Sequence, residues 1–392
     1  MECKWSQAPL GELISYISKG IVPKYTDDIV GSTMVLGQRC VRNQRVDYTQ
    51  ARFHDQKTKP FKPEKTVVLG DILINATGVG SAGRVAQVTV SPQQDCVTDG
   101  HVITLRAKGI NPFYLGYFLK SRQPMIEQMA EGSTGQTEMN RSRLQNEIVV
   151  TFPQDNAVQT AIAQFGLSID RKIAINNQIN GYLAAICETI SSELCQDIDG
   201  ELKELCSLVT DKSDCKNAIL ETYVSTESLL PGKSGRQLSG SVPTTGKVSV
   251  FKSGDTLVSN IRPYFKKIWY ASEDGTCSSD VLVFRAFNPD EAPYLNACLR
   301  QDRFFDYVMR GAKGTKMPRG DKKQIMGFPI ARSCDAGDLT VLSGLVKQMT
   351  RNEIESHRLT ELRDVLLPKL MSGEIDVSRV DLTQLNSHLS GC

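Results

Sequence analysis

The chain has 392 residues, 40% of them hydrophobic, and a net charge of only +2, which excludes a uniformly basic protein that coats nucleic acid. This length accommodates two or more domains. The eleven cysteines are dispersed, which fits reduced thiols in a cytoplasmic protein better than a disulfide framework. No stretch approaches the roughly 18 apolar residues that a membrane span needs, so we expect a cytoplasmic protein without a membrane partner.

Residues 1–153 have the pattern of a mixed α/β domain. Alternating apolar residues predict strands, and one segment with a 3.6-residue period predicts a helix. A loop rich in Gly, Ser and Thr precedes the last strand, and Pro153 closes the domain. The predicted strands lie at about 71–75, 84–90, 102–105 and 148–150, the helix at 113–129, and the loop at 132–137.

Residues 154–208 begin with an unusually long predicted helix, at about 155–194, and continue as a polar connector. Apolar residues recur in the helix at spacings of three and four, the period with which a helix presents one stripe to a partner helix. Lys172 and Asn176 fall on this stripe, where polar residues weaken a coiled coil but can fix its register. The apolar stripe consists of Ile162, Phe165, Ile169, Ile179, Leu183 and Ile186.

The first domain recurs in residues 209–333. The strand segment Gly70–Ile74 is echoed at Gly254–Val258, and the loop that begins at Gly132 is echoed at Gly311. The offset between the copies shrinks from 184 to 179 residues along the chain, as small loop deletions would produce. We therefore predict an internal duplication with a second mixed α/β domain.

The long helix also recurs, within residues 334–375. The second copy is predicted at about 338–371 and ends at Ser372-Gly373, a typical C-terminal stop. The tail at 376–392 has little apolar content and is expected to be loosely held. The apolar stripe of the second helix includes Leu345, Met349, Leu359, Leu362 and Leu366.

These patterns predict an α+β fold of two tandem mixed α/β domains separated by two long helices. Two apolar stripes of similar length in one chain most simply bury each other, as an antiparallel coiled coil. The domains would then lie at opposite ends of the helices, related by a pseudo-two-fold axis like that of a DNA duplex. The alternative is that each helix packs on a separate protein.

Two motifs that suggest an enzyme are better explained by structure. Residues 78–83 match the dinucleotide fingerprint GxGxxG, but a strand pattern follows where the fingerprint requires a helix, so we predict a hairpin turn. Asn111-Pro112-Phe113-Tyr114 is close to the Asn-Pro-Pro-Tyr motif of adenine methyltransferases. We interpret Asn111 and Pro112 instead as the cap and first residue of a helix. The four dispersed histidines form no metal-binding spacing with the cysteines.

Basic and polar residues cluster in corresponding loops of the two copies. Arg and Lys neutralise phosphates, and Arg, Asn and Gln can contact base edges, so these clusters indicate DNA binding. The alternative for each cluster is a merely solvated surface. The candidate DNA-binding residues are Arg39, Arg42, Arg45, Lys57, Lys59, Thr134, Gln136, Thr137 and Arg141 in the first domain, and Arg262, Lys266, Lys313, Lys316 and Arg319 in the second.

The pattern resembles the specificity subunit of type I restriction–modification systems. The resemblance rests on the duplicated strand with Gly83-Arg84-Val85-Ala86, on the loops at Gly132 and Gly311, and on the two long helices. The segment 362–375, which ends the second helix, is its most specific part. The region between Leu230 and Val250, in a shorter second domain, departs from the family pattern.

The resemblance implies that each globular domain is a target recognition domain that reads one half of a bipartite DNA sequence. The helix pair would set the length of the spacer, the DNA between the two halves whose sequence is not read. It would also dock two methyltransferase subunits, and restriction subunits would join through the complex. S-adenosylmethionine, ATP and magnesium would be bound by these partners, with no cofactor, metal or catalytic residue in this chain. Two alternatives stay open: a stand-alone adenine methyltransferase using Asn111–Tyr114, and a coiled-coil adaptor that does not bind DNA.

Overall fold

The structure is a computed structural model and describes residues 4–131, 138–194, 197–332 and 334–377. The chain divides into two compact units, unit 1 with Met1–Lys172 and Leu359–Cys392, and unit 2 with Ile173–Arg358. The two long helices, α4 (Asn156–Leu194) and α8 (Ala336–Ser372), lie close to their predicted bounds, and each contributes to both units. The predictions for the loop 132–137 and for most of the tail, from 378 onward, concern residues outside the described part of the chain.

Unit 1 contains three sheets and three short helices besides its parts of α4 and α8. The strands are β1 (Trp5–Pro9), β2 (Ile14–Lys19), β3 (Tyr25–Thr26), β4 (Thr33–Leu36), β5 (Val41–Arg42), β6 (Arg45–Val46), β7 (Arg52–His54), β8 (Ile72–Asn75), β9 (Val85–Gln87), β10 (Cys96–Thr98), β11 (Val102–Ala107) and β12 (Val149–Pro153), and the helices are α1 (Pro112–Ser121), α2 (Gln123–Gln128) and α3 (Arg141–Glu147). Among the residues that the structure describes, the three sheets have the orders β2-β11-β8-β9, β10-β4-β7-β3 and β1-β12. Strands β5 and β6 form a separate short hairpin.

The antiparallel sheet β2-β11-β8-β9 is the centre of unit 1. Its strands β8 and β9 are fully buried, and helix α1 packs on β9 and β11. The predicted helix at 113–129 is interrupted after Ser121 and forms α1 and α2. The side chain of Asn111 accepts hydrogen bonds from the backbone N–H groups of Phe113 and Tyr114, which confirms its role as the helix cap.

Unit 2 has a similar set of elements. Its strands are β13 (Gly200–Glu201), β14 (Cys206–Leu208), β15 (Lys212–Asp214), β16 (Tyr223–Val224), β17 (Lys247–Phe251), β18 (Thr256–Ser259), β19 (Ile268–Tyr270), β20 (Gly275–Cys277), β21 (Val281–Ala286) and β22 (Pro329–Ile330), and its short helices are α5 (Ala292–Arg300), α6 (Asp302–Arg310) and α7 (Lys322–Met326). The sheets have the orders β14-β21-β18-β19, β15-β17-β20-β16 and β13-β22.

The central sheets of the two units have the same strand order and the same antiparallel pairing. Strands β14, β21, β18 and β19 occupy the positions of β2, β11, β8 and β9. The second sheets differ, because β10 is an edge strand in unit 1 whereas its counterpart β20 is internal in unit 2. The predicted repeat therefore lies in the central sheet, and the chain around it has diverged.

A bidentate ion pair also recurs in the two central sheets. The Asp71 carboxylate meets the Arg106 guanidinium with both N···O distances at 2.8 Å, and Asp255 meets Arg285 at 2.7 and 2.6 Å. Both aspartates are buried at the start of the strand whose sequence repeats. A buried carboxylate is unfavourable without a partner for its charge. In both copies a bidentate arginine at the same place in the sheet supplies that partner.

The predicted connector up to residue 208 was wrong. Strand β13 pairs with β22, strand β14 pairs with β21, and Leu202, Leu205 and Cys206 are buried. Polar and charged residues surround these apolar positions, so average composition concealed two short strands. Unit 2 forms its globular part directly after α4.

In unit 2 the two long helices run antiparallel, joined by buried asparagines. The Asn176 amide donates to the Glu355 carboxylate at 2.8 Å, and the Asn352 amide donates to Oδ1 of Asn180 at 2.8 Å. Rising residue numbers on α4 thus meet falling numbers on α8. Asn176 is buried on the stripe as predicted, and its specific hydrogen bonds can fix the helix register.

The apolar stripe departs from its predicted phase in the later parts of both helices. Ile162, Phe165 and Ile169 are buried, but Ile186 is 46% exposed and Leu362 is 41% exposed, so these last two predictions were wrong. The buried positions are Ala184, Cys187, Val346 and Leu367, each one residue beyond a predicted one. A straight α-helix drifts by about 20° per heptad against a strict 3.5-residue repeat, which moves burial to the following residue. The remaining predicted residues are half-buried: Ile179, Leu183, Leu345, Met349, Leu359 and Leu366.

In unit 1 the first part of α4 and the last part of α8 meet at a carboxylate, that of Asp170, whose side chain is only 16% exposed. Asp170 accepts hydrogen bonds from the Tyr117 hydroxyl at 2.7 Å and from Nη1 of Arg363 at 2.5 Å. The Lys120 ammonium lies 4.0 Å from the same carboxylate. Gly166, one turn earlier, lets α1 approach, since a Cβ there would lie 2.6 Å from the Tyr117 ring. This group, Asp170 with Tyr117, Lys120 and Arg363, is called the Asp170 cluster below.

Candidate nucleic-acid interface

The candidate residues of the second domain come together at one edge of unit 2. Lys313 and Arg319 exchange backbone hydrogen bonds of 2.9 and 3.0 Å across a tight loop. Arg319 also bridges to Ile261, and the Arg262 N–H donates to the carbonyl of Pro318 at 2.8 Å. The loop 313–319 and the turn after β18 therefore form one surface, called the basic edge below.

The cations of the basic edge differ in how far they are neutralised. Lys313 lies 3.4 Å from Asp321, Arg319 lies 3.1 Å from Asp280, and both cations are exposed. Lys316 is exposed and forms no ion pair with any described residue. Such side chains can exchange a weak surface ion pair for a phosphate at little cost.

Lys266 is held more firmly. Its ammonium lies 2.9 Å from the Asp302 carboxylate, which also meets Lys233 at 2.8 Å. Hydrogen bonds from these two lysines lower the pKa of Asp302, so the carboxylate stays ionised. Lys266 therefore helps to hold the turn after β18 in place, and its charge is already neutralised by Asp302.

The corresponding edge of unit 1 includes Arg39 and Arg141. The Gln38 amide donates to Oγ1 of Thr77 at 2.6 Å, which places the neighbouring exposed Arg39 beside the turn after β8. Thr77 bridges to Glu138, at the end of the loop 132–137, and the exposed Arg141 follows at the start of α3. A cavity of about 420 Å³ opens beside Arg141 and is lined by Lys19, Glu131, Glu138, Met139 and Asn140. The predicted residues Thr134, Gln136 and Thr137 lie outside the described part of the chain.

Arg42 and Arg45 lie on the hairpin β5–β6. Its two turn residues, Asn43 and Gln44, have φ values of 51° and 59°, as the tightest hairpin turns require. Arg42 is exposed, but Arg45 lies 3.8 Å from Asp170. Arg45 is thus committed to the Asp170 cluster, an arrangement that the sequence did not indicate.

Lys57 and Lys59 follow β7, at the end of the second sheet of unit 1. Both are exposed, and the Lys59 ammonium donates to the carbonyl of Val22 at 2.8 Å.

The motif near the methyltransferase signature has no free functional group for chemistry. Oδ1 of Asn111 caps α1, and its amide nitrogen donates to Oγ1 of Thr160 at 3.0 Å. Tyr114 is fully buried, with its hydroxyl donating to the carbonyl of Thr151 at 2.8 Å. The polar groups of Asn111 and Tyr114 are thus engaged in hydrogen bonds within the fold, which supports a structural role for this motif.

Two further features bear on function. The described residues contain no group of three His, Cys, Asp or Glu side chains that could hold a metal ion. Among the helices that the structure describes, none is long and apolar enough to cross a membrane. The exposed aromatic pair Tyr264 and Phe265, in the turn of the basic edge, was not predicted. Two adjacent aromatic residues in a predicted turn are the sequence feature that could have indicated it.

Comparison with solved structures shows the class of fold. The S subunit of a type I restriction–modification system from M. genitalium is 15% identical, covers 94% of this chain and 96% of its own, and superposes with a TM-score of 0.53. The HsdS subunit from Thermoanaerobacter tengcongensis is 13% identical over 95% of this chain and 97% of its own, with a TM-score of 0.35. A chain from a study of complex assembly and conformational transition in the type I R–M system is 13% identical over 96% and 100%, with a TM-score of 0.39. The mixed α+β fold is thus shared with the M. genitalium protein.

The first part of the sequence matches a family model. Residues 3–184 match the model of the Type I restriction modification DNA specificity domain. A comparison with curated proteins gives no significant match. The resemblance noted from the sequence is therefore confirmed.

Proposed function

We propose that this chain is the DNA-sequence-specificity subunit of a type I restriction–modification complex. Each globular domain would bind one half of a bipartite, asymmetric target in double-stranded DNA, and the helices would set the unread spacer between the halves. The chain itself would be non-catalytic. The observation that carries the proposal is the repeated central sheet, with exposed basic residues beside the turn after its third strand in both units.

The helices support the spacer and docking roles. Within unit 2 they pair antiparallel, as expected if the two domains are related by a pseudo-two-fold axis. Tyr182 and Ile186 on α4, and Leu362 and Val365 on α8, expose apolar side chains despite lying in helices with buried stripes. Exposed apolar positions on long helices suit a helix of another protein. We assign this role to two methyltransferase subunits, which would carry S-adenosylmethionine, while restriction subunits with ATP and magnesium would join through the complex.

Mapping of methylated adenines tests the function directly. A host that expresses the methyltransferase subunit with this chain should methylate one bipartite motif with an unread gap, and removal of this chain should abolish that motif. Restoring the wild-type chain should restore it. An unchanged methylation pattern without this chain would contradict the proposal and favour a methyltransferase or adaptor role.

The basic edge makes a separate prediction about salt. Lys316→Ala should weaken DNA binding by the assembled complex, and the slope of log K against log salt should fall by about one, the effect of one lost phosphate contact. Binding titrations at several salt concentrations measure both quantities. Lys252→Ala, an exposed lysine between β17 and β18 of the same unit, is the matched control. An unchanged slope in Lys316→Ala, or an equal change in the control, would contradict the assignment of the basic edge.

A further inference from the structure

Unit 2 exposes two adjacent aromatic rings on a short turn. Tyr264 is 49% exposed and Phe265 is 40% exposed, with ring centroids 4.7 Å apart. The turn Arg262–Lys266, called the aromatic turn below, joins β18 to β19. Phe251 and Phe284 of this unit are fully buried, whereas Phe287, after β21, is a single ring that is 62% exposed. Two neighbouring rings kept in solvent point to a ligand that covers them.

The aromatic turn is fixed in place. Arg262 and Lys266 flank it with φ values of 50°, in the left-handed region that non-glycine residues rarely adopt. The carbonyls of Phe265 and Lys266 accept hydrogen bonds of 2.9 Å from the N–H groups of Gly232 and Lys233. A backbone held in this conformation from both sides presents the rings without a conformational change, and such retained strain is common at binding sites.

The surroundings of the rings favour a polyanion. The Arg262 N–H is bonded to Pro318, so the loop with Lys313, Lys316 and Arg319 lies beside the turn. Met317, also exposed, extends the apolar surface within this loop. Apolar side chains enclosed by cations suit a ligand that combines phosphates with stacked, apolar bases.

The same place in unit 1 is built differently. The left-handed positions that Arg262 and Lys266 occupy are taken there by Gly78 and Gly83, with φ values of 102° and 86°. Between them the exposed large apolar side chain is Val79. The two domains therefore share the turn, but only the second has aromatic rings on it.

We propose that Tyr264 and Phe265 form an apolar wedge that enters the DNA between adjacent base pairs in the half-site bound by the second domain. The corresponding turn of the first domain makes no such insertion. This inference rests on the proposed function, and it adds that one half of the target is read partly through the ease with which its base pairs unstack. Flexible pyrimidine–purine steps would be preferred at that position.

Fluorescence of 2-aminopurine tests the wedge in the assembled complex. The probe replaces single bases of the second half-site on the mapped target, excluding the adenine that becomes methylated, since that base leaves the stack for another reason. Wild-type complex should raise the fluorescence at one step. Tyr264→Ser with Phe265→Ser should abolish the rise and weaken binding on the order of tenfold. Phe265→Leu, which keeps an apolar side chain, should retain most of the rise.

Val79→Ser in the first domain is the matched control and should leave the fluorescence rise in the second half-site unchanged. Specific, salt-dependent binding by the wild-type complex without any rise would overturn the wedge while leaving the proposed function intact. A rise that persists in the double serine variant would also overturn it, as would loss of methyltransferase subunits from that variant. A wild-type complex that methylates no bipartite site would overturn the proposed function and the wedge together.

Discussion

Replacing Asp170 with alanine is expected to lower the free energy of unfolding by about 3–5 kcal/mol, because the change leaves the buried Lys120 ammonium without an ion-pair partner and removes the less exposed of the two carboxylates that pair with Arg363. The Asp170 side chain is 16% exposed, and those of Arg363 and Lys120 are 14% and 5% exposed. Loss of the carboxylate also removes the acceptor of the Tyr117 hydroxyl. Urea denaturation at neutral pH measures the change.

Asp364→Ala is the matched control for Asp170→Ala. Asp364 pairs with the same guanidinium, with 2.8 Å between Nη2 of Arg363 and Oδ1, but its side chain is 60% exposed. Exposed ion pairs contribute about 0–1 kcal/mol, so this variant should unfold nearly as the wild type does. Equal losses in the two variants would show that burial of the Asp170 cluster adds nothing.

The pH dependence of Asp170→Ala has a definite sign. Burial favours the neutral carboxyl, but Lys120, Arg363, Tyr117 and Arg45 together outweigh it, and the pKa of Asp170 is lowered. A carboxyl with a lower pKa in the folded state contributes stability above its unfolded value, near pH 4, and loses it as the pH falls through the folded value. Denaturation midpoints measured on acidification should therefore fall less steeply in Asp170→Ala than in the wild type.

Most of the fold that could be predicted followed from patterns within short stretches of sequence. The bounds of α4 and α8 follow from apolar periodicity over many turns, and the central sheets follow from a repeated Gly-Asp-strand segment. Strand β14 was missed because its apolar residues are few and lie among charges. The drift of the buried stripe toward Cys187 was missed because a heptad template selects the largest apolar residue, which there is Ile186.

The candidate site was only partly predictable, for a physical reason. Lys313, Lys316 and Arg319 are close in sequence, so one loop displays them together wherever it packs. Arg45 has a role set by Asp170, a residue distant in sequence, and no local pattern reveals such a pair. The aromatic turn was hidden for a related reason, since whether Phe265 is buried or exposed is decided by tertiary packing and not by its neighbours.

Glu353→Gln is expected to stabilise unit 2 at pH 8 by about 2–3 kcal/mol and to leave it little changed at pH 5. The Glu353 carboxylate on α8 accepts a hydrogen bond from Nε1 of Trp269 at 2.8 Å. Its removal from solvent raises the pKa to about 7, although Trp269 and Arg236 act in the opposite direction. Glutamine keeps the acceptor for Trp269 and has no charge to desolvate.

The sign follows from proton binding. Between about pH 4.5 and 7 the folded chain holds a proton on Glu353 that the unfolded chain has released, so the wild type loses stability as the pH rises through this window. The glutamine variant lacks this loss, and its advantage should grow across the window and then level off above pH 7. Urea midpoints at half-unit steps from pH 5 to about 8.5 measure the difference, with Glu193→Gln, an exposed glutamate of the same unit, as control. A constant difference at every pH would mean that the carboxylate of Glu353 ionises as freely in the folded chain as in the unfolded one.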